Sequence, residues 1–173
     1  FFRKNRRTPH VRVRAPARPR FEKVLFDAVR IRDALDSQAS RLGRLRVPLS
    51  MAEATDALER SLGDPQCRIF FGHAALLFQA AQATGAVRLR GGLVAPAAWF
   101  PDEKAAEQAF FLRRFSDACI QSGFAVRKTP AGFCLSCGKR RLSVTVDAAK
   151  RRVRILPSKN LLTLEAFRAR LSV

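Results

Sequence analysis

Residues 124–156, FAVRKTPAGFCLSCGKRRLSVTVDAAKRRVRIL, alternate apolar and polar positions so regularly that few folds can satisfy them. A period of two is the signature of a half-buried β-strand. It puts Phe124, Val126, Phe133, Leu135, Leu142, Val144, Val146, Val153 and Ile155 on one face, and Arg127, Arg141, Ser143, Thr145, Arg152 and Arg154 on the other. Turn residues break the pattern at Thr129-Pro130-Ala131-Gly132, Cys137-Gly138-Lys139 and Asp147-Ala148-Ala149, so the stretch reads as an antiparallel meander. From Arg127 to Lys159 there are ten Lys or Arg against one acid, Asp147. Such a sheet needs a core beneath its apolar face and water or an anion over its cations.

The residues before the meander supply helices. Phe21, Val24, Leu25, Ala28, Ile31, Leu35 and Leu42 share one side of a helix predicted over 21–42. Ser50 and Glu53 form a capping-box pattern ahead of a second helix that Gly63 closes. Asp64-Pro65 is placed to open a third, ending at Gly85. That helix, with Ile69, Phe70, His73, Ala74, Leu77, Phe78 and Ala81, is apolar around most of its circumference and is expected at the centre of the fold. Residues 86–95 read as a β-hairpin turned by Gly91-Gly92. A fourth helix follows Asp102, with Phe110, Phe111, Phe115, Ala118 and Cys119 toward the sheet and Arg113, Arg114 and Asp117 outward. A short last helix runs from Thr163 to Leu171. The chain therefore reads as α+β: an extended arm over 1–20, a helical region over 21–100, and a helix on a small antiparallel sheet over 101–173.

Two helices followed by a hairpin resemble the element order of a winged helix. Its groove-reading helix usually shows Arg, Lys or Asn to the groove. Here the solvent side of the third helix would carry only Gln66, Arg68, Gln79 and Gln82, so groove reading does not follow from the order alone.

The charge is extreme, +19 over 173 residues, and it sits at the ends. Residues 1–20 carry eight bases and no acid, residues 21–100 ten bases and eight acids, residues 101–173 fifteen bases and six acids. That balance implies a polyanionic partner. Arg outnumbers Lys by 26 to 7, and its planar fork suits phosphate. Pro9, Pro16 and Pro19 rule out a continuous helix in the arm. Ordering each of its residues costs about 1–2 kcal/mol, so a partner must hold it. A phosphate backbone inside a larger assembly fits, with Arg3, Lys4, Arg6, Arg7, Arg12 and Arg14 as contacts.

Catalysis finds no constellation. Gly91-Gly92 lacks the Lys-Ser or Lys-Thr of a phosphate loop, no serine sits in a nucleophile elbow, and no carboxylate pair suggests acid–base work. Cys134-Leu135-Ser136-Cys137-Gly138 is half of a zinc knuckle, but a closed site needs two more ligands, and Cys67, Cys119, His10 and His73 are scattered. The pair reads instead as small apolar residues in a hairpin. His73 reads as a core histidine.

The expectation is a non-catalytic RNA-binding component of a large ribonucleoprotein, without a cofactor. A ribosomal protein or assembly factor, of a mitochondrial ribosome, fits best, its partners rRNA and neighbouring proteins. The contacts named are the arm residues together with Arg127, Lys128, Lys139, Arg140, Arg141, Lys150, Arg151, Arg152 and Arg154. No stretch reaches the run of about 20 apolar residues that spans a bilayer. Scattered cysteines suit a reducing compartment, and an Arg-rich start at Phe1 suits import into the matrix. The alternatives are an accessory subunit of an organelle membrane complex, or a zinc-binding factor built on Cys134 and Cys137.

Overall fold

The computed structural model describes residues 20–21 and 26–172, and the chain is α+β. The arm expected over 1–20 lies outside the described residues except for Arg20. That residue belongs to β1 (Arg20–Phe21), which pairs in parallel with β3 (Cys67–Arg68). Helix α1 (Ala28–Arg41) starts later than the apolar spacing implies. Asp27 supplies the reason: its carboxylate accepts the Arg30 N–H at 2.7 Å, a strong N-cap. Phe21 is thereby in a strand rather than a helix, and Ala28 is exposed. Ile31, Ala34, Leu35, Gln38 and Ala39 form the buried stripe.

β2 (Leu49–Ser50) leads into α2 (Met51–Ser61) through a complete capping box. The Ser50 hydroxyl accepts the Glu53 N–H, and the Glu53 carboxylate accepts the Ser50 N–H. α3 (Phe71–Ala83) is shorter than Asp64-Pro65 suggests. Asp64 closes a local turn by accepting the Gln66 N–H, β3 follows in extended form, and Glu59 takes the Ile69 N–H at 2.9 Å. The helix is also not buried all round. Ala74, Leu77, Phe78 and Ala81 face the core, whereas Phe71 and Leu76 are 61% and 63% exposed.

β4 (Val87–Arg90) and β5 (Leu93–Pro96) make a hairpin around Gly91 and Gly92, whose φ values of 55° and 75° are the pair a type I′ turn demands. β5 lies between β4 and β2, all antiparallel. The element order from α1 to β5, with β2 joined to β5, resembles that of a winged helix, except that β3 is inserted between α2 and α3. The core of this unit gathers Leu35, Leu49, Leu58, Phe78 and Val94.

The second half packs on one sheet. α4 (Glu103–Gln121) is capped by Asp102, which accepts the Ala105 N–H. β6 (Ala125–Thr129), β7 (Gly132–Cys137), β8 (Arg140–Asp147) and β9 (Arg152–Ile155) form an antiparallel meander in chain order. α5 (Leu164–Leu171), capped by Thr163, returns beneath it. α4 and α5 cover the same face, where Phe111, Phe115, Cys119, Phe167 and Leu171 meet Phe124, Leu135, Val144 and Val153. Phe115 is central, its ring 5.1 Å from that of Phe133 and 5.4 Å from that of Phe167.

The two halves are braced through α4. Arg113 does not face out as its helical position implies; it is 9% exposed. One guanidinium nitrogen reaches the Pro48 carbonyl at 3.0 Å and Glu53 at 3.1 Å, and Nε reaches Asp117 at 2.9 Å. Glu107 receives Arg90 from β4 at 3.0 Å and Arg151 from the β8–β9 turn at 2.9 Å. Glu103 pairs with Arg88 and Arg90. The Trp99 indole N–H donates to Asp36 of α1 at 2.6 Å.

Burial pushes the Glu53 carboxyl up, but the Ser50 N–H and Arg113 outweigh it and hold the group below 4.5. A folded-state value below the unfolded one stabilises the fold above that range, and the gain is lost as pH falls through the folded value. Arg113→Ala should cost about 2–3 kcal/mol at neutral pH, the low end for breaking a buried pair because both carboxylates keep some solvent. Urea unfolding should show this difference shrinking as pH falls below the ordinary carboxylate range and Glu53 protonates. A difference that held constant from neutral to acid would contradict the brace.

Candidate nucleic-acid interface

Strand register decides which basic side chains share a surface. One row holds Ala125, Ser136 and Arg141; the next holds Arg127, Cys134 and Ser143. Thr145 lies opposite Arg154, and Asp147 opposite Arg152. Their strand neighbours Val126, Leu135, Leu142, Val144, Val146 and Val153 pack toward α4 and α5, so these rows lie on the open side of the sheet. Arg127 and Arg141 are exposed, and Arg152 and Arg154 are half-buried. Among the described residues none of the four is ion-paired. The Arg154 Nε is buried and has no hydrogen-bond partner there. Asp147, the one acid on this face, leans to its own turn, accepting the Lys150 N–H at 3.0 Å with the ammonium 3.8 Å away.

The remaining basic residues separate by position. Lys139 is exposed at the β7–β8 turn and Lys150 at the β8–β9 turn. Lys128 lies opposite Phe133 and so on the helix side. There it lines a cleft of about 390 Å³ with Arg44, Arg46, Val47, Leu112 and Ile120. Arg140 is committed elsewhere. It donates to the Leu171 and Arg170 carbonyls at 3.3 Å, ending α5, and its guanidinium lies 5.4 Å from the centre of the Phe124 ring. Arg151 is spent on Glu107 of α4, whose carboxyl the Arg151 and Arg90 hydrogen bonds hold below 4.5. The candidate face is thus Arg127, Arg141, Arg152 and Arg154, flanked by Lys139 and Lys150. Arg3, Lys4, Arg6, Arg7, Arg12 and Arg14 lie outside the described residues. Cys134 and Ser136 also belong to the open face; counting outward from Leu135 would have found them.

The unit formed by α1 to β5 offers less. α3 contains no Lys or Arg, and the hairpin bases Arg88 and Arg90 are neutralised by Glu103 and Glu107. A depression of about 460 Å³ beside β3 includes Asp56, Glu59, Arg60, Asp64 and Arg68. Two of its acids do backbone work, Glu59 on Ile69 and Asp64 on Gln66.

Cys134 and Cys137 both lie within β7, three residues apart. An odd separation on a strand sends side chains to opposite faces. Cys134 sits opposite Ser143 on the open face, while the Cys137 Sγ is 4.0 Å from where a Cβ on Gly123 would lie, at the end of α4. The pair therefore cannot grip one ion in this fold. Among the described residues no group of three or more His, Cys, Asp or Glu gathers to hold a metal. His73 is half-buried on α3.

No family model, curated protein or solved structure matches this chain.

Thiol reactivity checks the cysteine placement. Burial pushes the Cys119 thiol up to about 12, and its side chain is inaccessible. Cys137 is exposed. At mildly alkaline pH, iodoacetamide followed by peptide mass spectrometry should find Cys137 alkylated well before Cys119, which should react only on unfolding. Equal rates in the native protein would contradict the register.

Proposed function

We propose that this protein is a non-catalytic RNA-binding component of a large ribonucleoprotein, a ribosomal protein or assembly factor that holds rRNA through its phosphates. The observation that carries the reading is the open face of β6–β9. Four arginines stand there without an acid partner, on a rigid sheet whose other face is the core. Paired surface cations are already satisfied and gain little from an anion. Unpaired guanidiniums held at fixed spacing gain charge-assisted, bidentate hydrogen bonds from phosphate. The acid-free arm adds a second cationic element of the same chemistry, eight bases in twenty residues. Among the described residues no helix is long and apolar enough to cross a membrane.

Among the described residues no aromatic side chain occupies the open face, because Phe124 and Phe133 turn toward the helices. Base stacking has no platform here, so binding rests on backbone and shape and is largely indifferent to sequence.

RNA affinity measured across a salt series should fall steeply, log K against log salt being linear. Changing Arg127, Arg141, Arg152 and Arg154 to Gln together should flatten that slope by about 2.8, roughly 0.7 for each lost single-strand phosphate contact. The loss should be alike for RNAs of unrelated sequence. A flat salt response in the wild-type protein would sink the proposal.

A further inference from the structure

We infer that the open sheet face is shaped for double-helical RNA, in preference to duplex DNA or a single strand; this rests on the RNA-binding reading above. The argument is one of width, floor and edge. Three interstrand steps separate β6 from β9 in the sheet order, so the outer strands lie about 14 Å apart before side chains are added. The B-form minor groove is about 6 Å wide, and the major groove, about 12 Å, admits a helix or a two-stranded ribbon. A four-stranded sheet is too broad for either. The A-form minor groove of RNA is wide and shallow, a surface rather than a slot.

The chemistry across the sheet follows the same profile. Arg127 stands on one edge strand and Arg152 and Arg154 on the other. Between them β7 and β8 present Ser136, Ser143 and Thr145, short side chains that let a groove floor approach, with the long Arg141 side chain opposite Ser136 only at the end of the strip beside the β7–β8 turn. No hydrogen bond among the described residues uses these three hydroxyls. Arginines at two edges face two phosphate ridges, and free hydroxyls in the middle face the 2′-hydroxyls that line the RNA minor groove. Single strands gain nothing from the hydroxyl strip that a duplex does not present in order. They also lack aromatic platforms on which to stack.

Fluorescence polarisation with the full chain tests this. Three probes suffice, compared at matched salt and each followed across a salt series: an RNA duplex of about 16 base pairs, the DNA duplex of the same sequence, and a single-stranded RNA unable to pair. The RNA duplex should bind about tenfold more tightly than either of the others, the worth of a few neutral hydrogen bonds. In the variant Ser136→Ala/Ser143→Ala/Thr145→Val that preference should fall to roughly threefold or less, with the salt slope unchanged. Circular dichroism confirms that the variant is folded, and the wild-type comparison stands without it. DNA or single-stranded RNA binding as tightly as duplex RNA overturns the inference but leaves RNA binding intact. So does a duplex preference that survives loss of the three hydroxyls. Absence of salt-dependent binding to every RNA probe overturns the proposed function itself.

Discussion

Among the described residues Arg113 is the one charged side chain driven into the interior, and two structural units meet around it. Its guanidinium joins the Pro48 carbonyl, the Glu53 carboxylate and the Asp117 carboxylate. Glu53 in turn closes the N-terminus of α2 through the Ser50 N–H and receives Arg44 at 2.9 Å. One carboxylate thus caps a helix of the first unit and receives an arginine from the long helix of the second. A buried arginine without such partners would cost several kcal/mol, so its placement fixes how α4 sits against the β2–α2 corner. The more exposed pairs beside it, Arg88 and Arg90 with Glu103 and Glu107, are screened by solvent and contribute at most a fraction of this.

The same brace determines where the surplus charge lies. Acids are scarce, 14 against 33 bases, and Glu53 of α2 with Glu103, Glu107 and Asp117 of α4 are consumed by capping and by bracing the two units. After Asp117 only Asp147 and Glu165 remain in the chain. Asp147 binds its own turn, and Glu165 opens α5, where a helix N-terminus favours it. The sheet is left with arginines and nothing within the described residues to neutralise them. Its cationic face is therefore the residue of a charge balance settled elsewhere in the structure.

The sheet was legible because period-two alternation and turn residues act locally: all nine apolar positions assigned inward pack on α4 and α5. The capping box of α2 was legible for the same reason. Helix starts were not, where a nearer cap competed with periodicity. Apolar spacing carries the first helix back to Phe21, and only Asp27 and the β1–β3 pairing end it sooner. Arg113 was assigned outward because the helical pattern registers which residues are polar, and cannot register that Glu53, 60 positions away, awaits it. Arg140 and Arg151 were counted as phosphate contacts for a similar reason. Their partners, the end of α5 and Glu107, are brought near only by the fold. Tertiary partners thin a charge run into the fewer cations that stay available.

That thinning bears most on the unit formed by α1 to β5. Connectivity alone would assign nucleic-acid contact to α3 and the β4–β5 hairpin. Yet α3 brings no cation, its exposed side carries Phe71 and Leu76, and both hairpin arginines are held by α4. Withdrawing Glu103 and Glu107 would restore a basic hairpin, but it would also loosen the contact that seats the second unit. The arrangement therefore spends the hairpin arginines on seating α4. The cations that stay available are displaced to the far side of the sheet, where a flat arginine-edged surface replaces a helix in a groove. Charge pairing, more than element order, decides which cations among the described residues stay available.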